Sequence, residues 1–389
     1  MPEHSAPLQT EWSVLLAASS DIPADEKTAR IRGLLGSNIR WDALFKLADQ
    51  HGVHPLLAQA LLSVQNQVPE EALKNLKQTY QANLHKALLL SREFVRIVEC
   101  LSHASIEFLP YKGMALAETI YGDLALRQSG DIDLLIHAGD LKRVQQAVAE
   151  LGYTPHVTLS ENEQEAYLKS GYECVFDGAA GRNLLEVQWA LQPRFYAVDV
   201  DMKGLFRRAQ PVSVAGSTVK SLAPEDQFIV LALHAAKHVW GSLIWLCDLE
   251  RISRLPALDW KWIGEQARKL GIVRILRVTL LLAQRLLGLP LPASAALHVP
   301  EDQAAGPLAE EIENYIASQE PYDIESLPYF RLMLRLRERR VDRMRFITRL
   351  AITPGPGEWA VARLPKAFFP LYRIVRISRL AARMVGSRT

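Results

Sequence analysis

The chain has 389 residues, of which 49% are hydrophobic and 23% are charged, and its formal net charge is +2. This ordinary globular composition allows two or three hydrophobic cores and excludes a chain dominated by disorder. The three cysteines, Cys100, Cys174 and Cys247, lie far apart in the sequence, so neither a disulfide framework nor a thiolate zinc site is indicated.

No segment has the pattern of a secretory signal or of a membrane-spanning helix. The first residues lack a basic segment followed by an apolar one. The longest apolar stretch, at about residues 272–290, is interrupted by Arg274, Arg277 and Arg285. We therefore expect a cytoplasmic protein without a transmembrane segment.

Residues 1–103 are predicted to form a helical N-terminal region. Apolar residues recur at helical spacing from Trp41 to Ala48, and His51-Gly52 ends this helix. A longer helix is predicted from Pro69 to about Ser102, because proline is favoured at the start of a helix and an apolar stripe follows it.

Residues 104–222 combine short β-like runs with helices and are predicted to form a small mixed sheet. The glycine-rich segment 177–181 has the composition of a hairpin turn between two of the runs. The predicted strands are 106–111, 131–136, 172–176 and 184–189, with a smaller hairpin at 212–219 and helices at 114–121 and 140–151. The predicted fold class is therefore α+β, with this core embedded between mainly α-helical regions.

Residues 223–330 return to a helical pattern and are predicted to form a C-terminal helical domain. The change begins at Pro224, where the short alternating runs end. The predicted helices are 224–240, 242–253, 260–270 and 273–287, followed by a loop marked by Pro290, Pro292 and Pro300.

Residues 331–389 form a basic tail, with 15 Arg and Lys residues against 3 Asp and Glu residues. Such a segment can bind nucleic acid or anionic lipid, or it can pack on an acidic surface of the same chain. Apolar residues alternate with the arginines at helical spacing, among them Leu364, Phe368, Leu371, Tyr372 and Val375. This amphipathic helical pattern favours packing on the body of the protein.

Asp131 and Asp133 are the most informative residues in the chain. They lie in the run 130–136, Gly-Asp-Ile-Asp-Leu-Leu-Ile, where a strand would turn alternate side chains to opposite faces. Ile132 and Leu134 then face a core, and the two carboxylates point toward one spot. Because like charges so close together repel, the pair predicts a site for a hard divalent cation, Mg²⁺ or Mn²⁺.

Residues 111–136 contain a Lys-Gly pair, an apolar helix ending in Tyr-Gly-Asp, an arginine and Gly-Asp-Ile-Asp. This combination resembles uncharacterised bacterial nucleotidyltransferase-like proteins of the polymerase-beta superfamily, and a weaker likeness extends along most of the chain. The resemblance implies a Mg²⁺-dependent enzyme that moves a nucleoside monophosphate to a hydroxyl and releases pyrophosphate, with ATP as the default donor. The sequence does not identify the acceptor, whose hydroxyl can belong to a small molecule, a peptide or protein side chain, or an RNA end.

The same resemblance implies roles for particular residues. Asp131 and Asp133 would bind the metal together with a third acid on a neighbouring strand, and Glu186 matches that position. Glu186 could also take the acceptor's proton. Lys112 and Arg127 would clamp phosphates near the amino end of the following helix. The predicted nucleotide-binding residues are Lys112, Gly113, Arg127, Gly130, His234 and Lys237.

Three residues depart from the family pattern. Glu186 and Gln188 stand where the family more often has Asp and His, and Met114 stands where many members have a small hydroxyl residue that contacts phosphate. These departures keep open a catalytically silent nucleotide-binding or scaffold protein. The same metal site would also suit a phosphotransferase. A nucleic-acid binder that works through the basic tail is less favoured, because the overall charge is small.

Residues around the motif also have purely structural alternatives. Arg127 can form a salt bridge with Asp123 or Glu118, and Asp123 fits an Asx turn. His234 and His238 have the spacing of two zinc ligands on a helix, but the acid and the third ligand of such a motif do not accompany them.

Overall fold

The computed structural model of the chain describes residues 9–181, 183–318, 326–359 and 364–386. These residues form a central five-stranded mixed sheet with helices before it, around it and after it. The fold class is therefore α+β, as the sequence predicts. The predicted N-terminal region, C-terminal helical domain and basic tail each extend partly outside the described residues.

The N-terminal region is helical. Its helices are α1 (Gln9–Ser19), α2 (Ala24–Leu35), α3 (Trp41–Gln50), α4 (His54–Leu62) and α5 (Glu70–His103). The two helices predicted here are confirmed as α3 and α5. Helix α5 begins directly after Pro69, and Glu70 and Glu71 in its first turn interact favourably with the positive end of the helix dipole.

The middle of the chain forms the sheet and the helices that cover it. In chain order the elements are β1 (Phe108–Pro110), α6 (Met114–Tyr121), β2 (Asp131–Ile136), α7 (Leu141–Glu150), β3 (Thr154–Pro155), α8 (Glu161–Ser170), β4 (Glu173–Asp177), β5 (Leu184–Gln188), α9 (Met202–Arg208), β6 (Gln210–Val214) and β7 (Ser217–Ser221). The predicted strands and helices of this region are present. Elements β3, α8 and α9 were not predicted, although Ser160 and Glu163 form a capping box at the start of α8.

The sheet has the strand order β1-β2-β5-β4-β3, and among these strands only β2 and β5 are parallel neighbours. Alternation along β2 and β5 turns Ile132, Leu134, Leu185 and Val187 to one face, where they are buried in a core that α5 and α7 share. The opposite face of the same two strands therefore carries their polar side chains.

The second sheet is the hairpin of β6 and β7, which was predicted at 212–219. Its two turn residues, Ala215 and Gly216, both have positive φ, 52° and 77°. A two-residue turn of this type matches the twist of the strands that it joins. The Ala215 amide donates a hydrogen bond of 2.6 Å to Glu118 on α6, which fixes the hairpin to the sheet region.

Helices follow the hairpin to the end of the described chain. They are α10 (Pro224–Lys237), α11 (Leu243–Ser253), α12 (Trp260–Leu270), α13 (Val273–Leu287), α14 (Ala293–His298), α15 (Ala305–Ser318), α16 (Leu327–Arg335), α17 (Arg340–Ile352), α18 (Pro356–Trp359) and α19 (Tyr372–Gly386). Several share one hydrophobic core with the N-terminal helices, to which Leu15, Leu57, Leu246 and Leu276 belong. The division of the chain into four regions stays a prediction. Within the described residues, no helix is both long and apolar enough to cross a bilayer.

Helix α10 ends three residues before the predicted end at Trp240. Val239 and Trp240 both have positive φ, 54° and 49°, which no α-helix accommodates. The resulting turn buries the Trp240 ring completely, and its indole N–H donates a hydrogen bond of 3.0 Å to Thr279 on α13. This contact fixes the end of α10 that carries His234 and Lys237 beside the sheet.

Candidate active site

The polar face of the central strands brings three carboxylates together. Asp131 and Asp133 alternate with apolar residues on β2, and Glu186 on the parallel strand β5 lies directly opposite Asp133. One carboxylate oxygen from each residue lies within 4.8 Å of the others. Asp133 is almost completely buried, and the other two side chains are half-buried. The strand alternation predicted this shared face, and the parallel pairing of β2 with β5 adds the third acid.

The three acids have altered ionisation because they are buried close to one another. Burial raises the pKa of Asp131, and the charge of Asp133 raises it further. Burial, followed by the charge of Asp133, raises the pKa of Glu186 to about 8. A divalent cation would relieve this repulsion, and clustered carboxylate oxygens are the ligands that hard cations prefer. The residues therefore fit the metal that the sequence predicts.

Lys112 supplies the positive charge nearest to these acids. Its ammonium nitrogen lies 2.6 Å from Asp133 Oδ1 and 4.0 Å from Glu186 Oε2. Burial lowers the pKa of Lys112, but the charges of Asp133, Tyr111 and Glu186 outweigh it, so the pKa is raised. Lys112 thus stays charged and partly neutralises the site in the way that a bound cation would.

Gly113 connects Lys112 to the amino end of α6. Its φ of +53° is one that side-chain-bearing residues rarely adopt, and an added Cβ would lie 3.4 Å from the Asp131 carbonyl oxygen. The glycine therefore lets the start of α6 approach β2 closely. At Gly130 an added Cβ would meet only the end of the Lys86 side chain, at 3.8 Å.

Arg127 forms an ion pair with a residue that is distant in the sequence. Its Nε and Nη2 atoms each donate a hydrogen bond of 2.9 Å to one carboxylate oxygen of the buried Asp248, which also accepts from the Tyr121 hydroxyl at 2.7 Å. The predicted alternative, a salt bridge with Asp123 or Glu118, is wrong. Asp123 instead accepts a hydrogen bond from the Ala125 amide at 2.8 Å, as in the predicted Asx turn.

The end of α10 and the start of α11 form the wall opposite the sheet. The rings of His234, His238 and Trp245 contact one another, with centroids 4.9 to 5.4 Å apart. Burial lowers the pKa of His238 to about 3 and that of His234 well below its usual value, so both imidazoles are neutral at physiological pH. Burial also lowers the pKa of Lys237 to about 8, and its ammonium lies 4.6 Å from the centre of the Tyr172 ring.

Sequence reasoning missed a fourth acid, Glu173, on β4. Gln188 Nε2 donates hydrogen bonds of 3.3 Å to Glu173 and 3.2 Å to Glu186, and Gln188 Oε1 accepts one from the Tyr111 hydroxyl. Gln188 therefore orients Glu186 from the position where family members more often have histidine. Alternation along the predicted strand 172–176 could have indicated a polar face, but the register of β4 against β5 was not available from the sequence.

All the predicted site residues line one cavity of about 370 Å³. A cavity of this volume can hold a small ligand or part of a larger one. Tyr172, Glu173, Gln128 and Ser129 also line it and were not predicted. The predicted residues in its lining are Lys112, Gly113, Arg127, Gly130, Asp131, Asp133, Glu186, His234 and Lys237.

Comparisons with known proteins identify a family. The model of a family described as uncharacterised nucleotidyltransferases matches residues 37–288, which is well over half of the chain. The chain therefore belongs to that family, as its resemblance predicted. No curated protein and no solved structure has a significant match to the chain.

Proposed function

We propose that this member of the nucleotidyltransferase family transfers a nucleoside monophosphate, AMP from ATP by default, to a hydroxyl group of an acceptor and releases pyrophosphate. The single observation that carries the proposal is the convergence of Asp131, Asp133 and Glu186 within 4.8 Å, beside Lys112 and the amino end of α6. Family membership supports the class of reaction. The nucleotide, the ion and the acceptor are parts of the proposal.

Asp131, Asp133 and Glu186 would hold a divalent cation, Mg²⁺ or Mn²⁺. When bound, such an ion stabilises the negative charge that develops on phosphate oxygens during transfer. Lys112 has a second role in this proposal, because its ammonium can turn from Asp133 toward a phosphate oxygen. The Ser129 hydroxyl is a further donor on the same side of the cavity.

Glu186 is the proposed general base. The acceptor oxygen forms a bond to the α-phosphorus while the bond from that phosphorus to pyrophosphate breaks, and the acceptor's proton passes to the Glu186 carboxylate. Without a cation, burial and the charge of Asp133 raise the pKa of Glu186 to about 8; a bound cation would favour its ionised form, which is the form that accepts a proton. Gln188 keeps the carboxylate oriented through its hydrogen bond of 3.2 Å.

The proposed role of Arg127 is to hold the loop between α6 and β2 in place, and not chiefly to bind phosphate. Two of its donors are bonded to Asp248, and its Nη1 lies 3.3 Å from the Ser129 hydroxyl at the cavity. It thereby fixes the loop between α6 and β2 to helix α11. His234 and Lys237 would face the nucleotide or the acceptor across the cavity.

The test is incubation with labelled ATP, Mg²⁺ and cell extract, followed by mass spectrometry for any molecule that gains a nucleotide. The matched control is Asp131→Asn, which keeps the size of the side chain and removes its charge. Labelled products that form with the parent and not with the variant support the proposal. ADP formation in place of pyrophosphate would support the alternative, a phosphotransferase that uses the same acids.

One observation favours a second candidate, a catalytically silent nucleotide-binding or scaffold protein. Lys112 already neutralises Asp133 at 2.6 Å, so the site has a charge partner without a metal. Calorimetric titration of ATP with and without Mg²⁺ distinguishes the candidates. An absence of binding supports the scaffold. Binding that requires Mg²⁺ supports the enzyme if labelled product also forms, and the silent nucleotide-binding protein if none forms.

A further inference from the structure

The C-terminal helices expose an unusual number of apolar side chains. Among the described residues, thirteen large hydrophobic side chains are exposed, and eight of them lie between residues 341 and 377. We call the described residues from Arg340 to Gly386 the C-terminal arm. Its apolar face is defined as these eight: Val341, Met344, Ile347, Ile352, Phe368, Leu371, Ile374 and Ile377. Exposed hydrophobic residues are normally scattered singly over a protein surface, whereas here eight occur in one short segment.

Helix α19 turns two of its arginines toward the protein, together with Tyr372 and Leu380. Arg376 and Arg379 both form ion pairs with Glu358, which is 1% exposed, whereas Ile374 and Ile377 are 62% and 52% exposed. A surface helix of a globular protein normally has the reverse orientation. Tyr372 is buried, but the sequence-based expectation that Phe368 and Leu371 also pack inward differs from the structure, in which both are exposed.

Helix α17 repeats this arrangement. Arg349 bonds Asp199 through both of its terminal nitrogens, at 2.6 and 2.8 Å, and Phe346 is buried beside Phe195. The side chains of Val341 and Met344 on the other side of the helix are 57% and 62% exposed. Both helices are thus anchored to the body by charged and aromatic side chains and by one leucine each, Leu350 and Leu380, and they leave several other aliphatic side chains outside.

Positively charged side chains border the apolar face. From Trp359 to Thr389 the sequence contains seven Arg and Lys residues and no Asp or Glu, and two of the seven, Arg376 and Arg379, are paired with Glu358. Arg340, Arg345 and Arg373 are exposed on α17 and α19 next to the apolar side chains. An apolar surface bordered by arginine matches an anionic lipid surface, in which aliphatic side chains enter the acyl boundary and guanidinium groups meet headgroups.

We propose that the apolar face of the arm binds the surface of a membrane that contains anionic lipid. Two other partners fit less well. A second copy would bring two positively charged arms together, and a nucleic acid would bind the arginines but leave the isoleucines exposed to water. Helices with charged side chains on one side and apolar ones on the other lie in the plane of the membrane surface, and we expect the arm to do so. This inference does not depend on the proposed reaction.

The test is co-sedimentation of the full chain with vesicles of phosphatidylcholine alone or mixed with phosphatidylglycerol. The protein is expected to sediment with the mixed vesicles, less so at high salt, and to remain free with the neutral ones. The double variant Ile374→Ser with Ile377→Ser should bind about tenfold or more weakly, because it loses apolar area that would enter the lipid. The same loss is expected for Val341→Ser with Met344→Ser on α17, which gives a second variant if the first folds poorly.

The matched control is Leu88→Ser with Leu89→Ser, which changes two equally exposed leucines on α5 outside the arm. This control should bind vesicles as the parent does. The proposal is overturned if the parent does not sediment with anionic vesicles, or if the control and the arm variants lose binding equally. It is also overturned if size-exclusion chromatography finds a dimer that the arm variants abolish, since a second copy would then cover the face.

Discussion

The central sheet and the C-terminal arm both place charged side chains inside the protein, but the two regions do so with different partners. In the sheet, Asp131, Asp133 and Glu186 share one cation, the ammonium of Lys112, and the pKa of Glu186 is raised to about 8. In the arm, Glu358 meets two guanidinium groups, from Arg376 and Arg379. The sheet has an excess of buried negative charge, and the arm does not.

This difference indicates what each region can bind. Excess negative charge in a cavity is unfavourable until a cation arrives, so the sheet is suited to a ligand that brings positive charge. The internal charges of the arm are already paired, and its unpaired feature is the apolar surface outside. The arm is therefore suited to an apolar partner. Substitutions that alter the charge balance should affect the two regions in opposite ways.

The largest effect is expected from Asp131→Asn, which should lower turnover by about a thousandfold or more, because one proposed metal ligand is lost. The melting temperature should stay the same or rise, since burial and Asp133 already disfavour the charge on Asp131. Turnover assays and calorimetry measure the two quantities. Parent-like turnover in this variant would refute the proposed site.

Asp133→Asn provides the control for the stability part of this prediction. It removes the same charge but leaves Lys112 without the carboxylate oxygen that lies 2.6 Å away. We therefore expect its melting temperature to fall while that of Asp131→Asn does not. Equal melting temperatures for the two variants would mean that Lys112 contributes little to the charge balance of the site.

The next prediction compares the buried ion pairs that arginines form in the two regions. Asp248→Asn should destabilise the whole fold by about 3 to 5 kcal/mol, because the bidentate partner of Arg127 is lost in the interior. Glu358→Gln should release α19 and leave global unfolding nearly unchanged, since the other contacts of the body do not depend on it. Urea denaturation measures the first effect, and hydrogen exchange of α19 amides measures the second. Equal loss of global stability in both variants would contradict the distinction.

A smaller effect is expected from Lys112→Met when no nucleotide is present. Mn²⁺ should bind about tenfold more tightly, a change of about 1.4 kcal/mol, because the ion no longer has to displace an ammonium from Asp133. The KM for the nucleotide should rise, since a proposed phosphate contact is lost. A titration in which electron paramagnetic resonance quantifies free Mn²⁺ measures the affinity. In the comparison variant Lys237→Met, the ammonium that is removed lies over the Tyr172 ring and interacts with Glu186 and Asp133 only at longer range, so the Mn²⁺ affinity should rise less.

The last effect concerns a buried imidazole that lies outside both regions. Burial lowers the pKa of His51 to about 4, below its ordinary value of 6.5. The unfolded chain therefore binds a proton that the folded chain excludes, so stability is present above about pH 6.5 and is lost as the pH falls toward 4. His51→Gln should reduce this slope by up to about 1.4 kcal/mol per pH unit. Urea midpoints at pH 7, 6 and 5 measure it, and an unchanged slope would contradict the prediction.

The sequence predicted the parts of the site that depend on local periodicity. Alternation placed Asp131 and Asp133 on one face of a strand, and a second alternating run offered Glu186. It could not identify the partner of Arg127, because Asp248 lies 121 residues away and only the packing of α11 brings it near. Glu173 and the bridging role of Gln188 were missed for a related reason, since the register between β4 and β5 depends on pairing that no single strand encodes.

The sequence by itself determined the fold class, the strands other than β3, several of the helices, the acidic pair and the strongly basic end of the chain. Tertiary structure alone decided which side of the amphipathic helix α19 faces inward. An amphipathic pattern fixes only that polar and apolar residues lie on opposite sides of a helix. Which side meets the protein depends on the surface that receives it, and here the buried Glu358 binds the arginines and leaves the isoleucines outside.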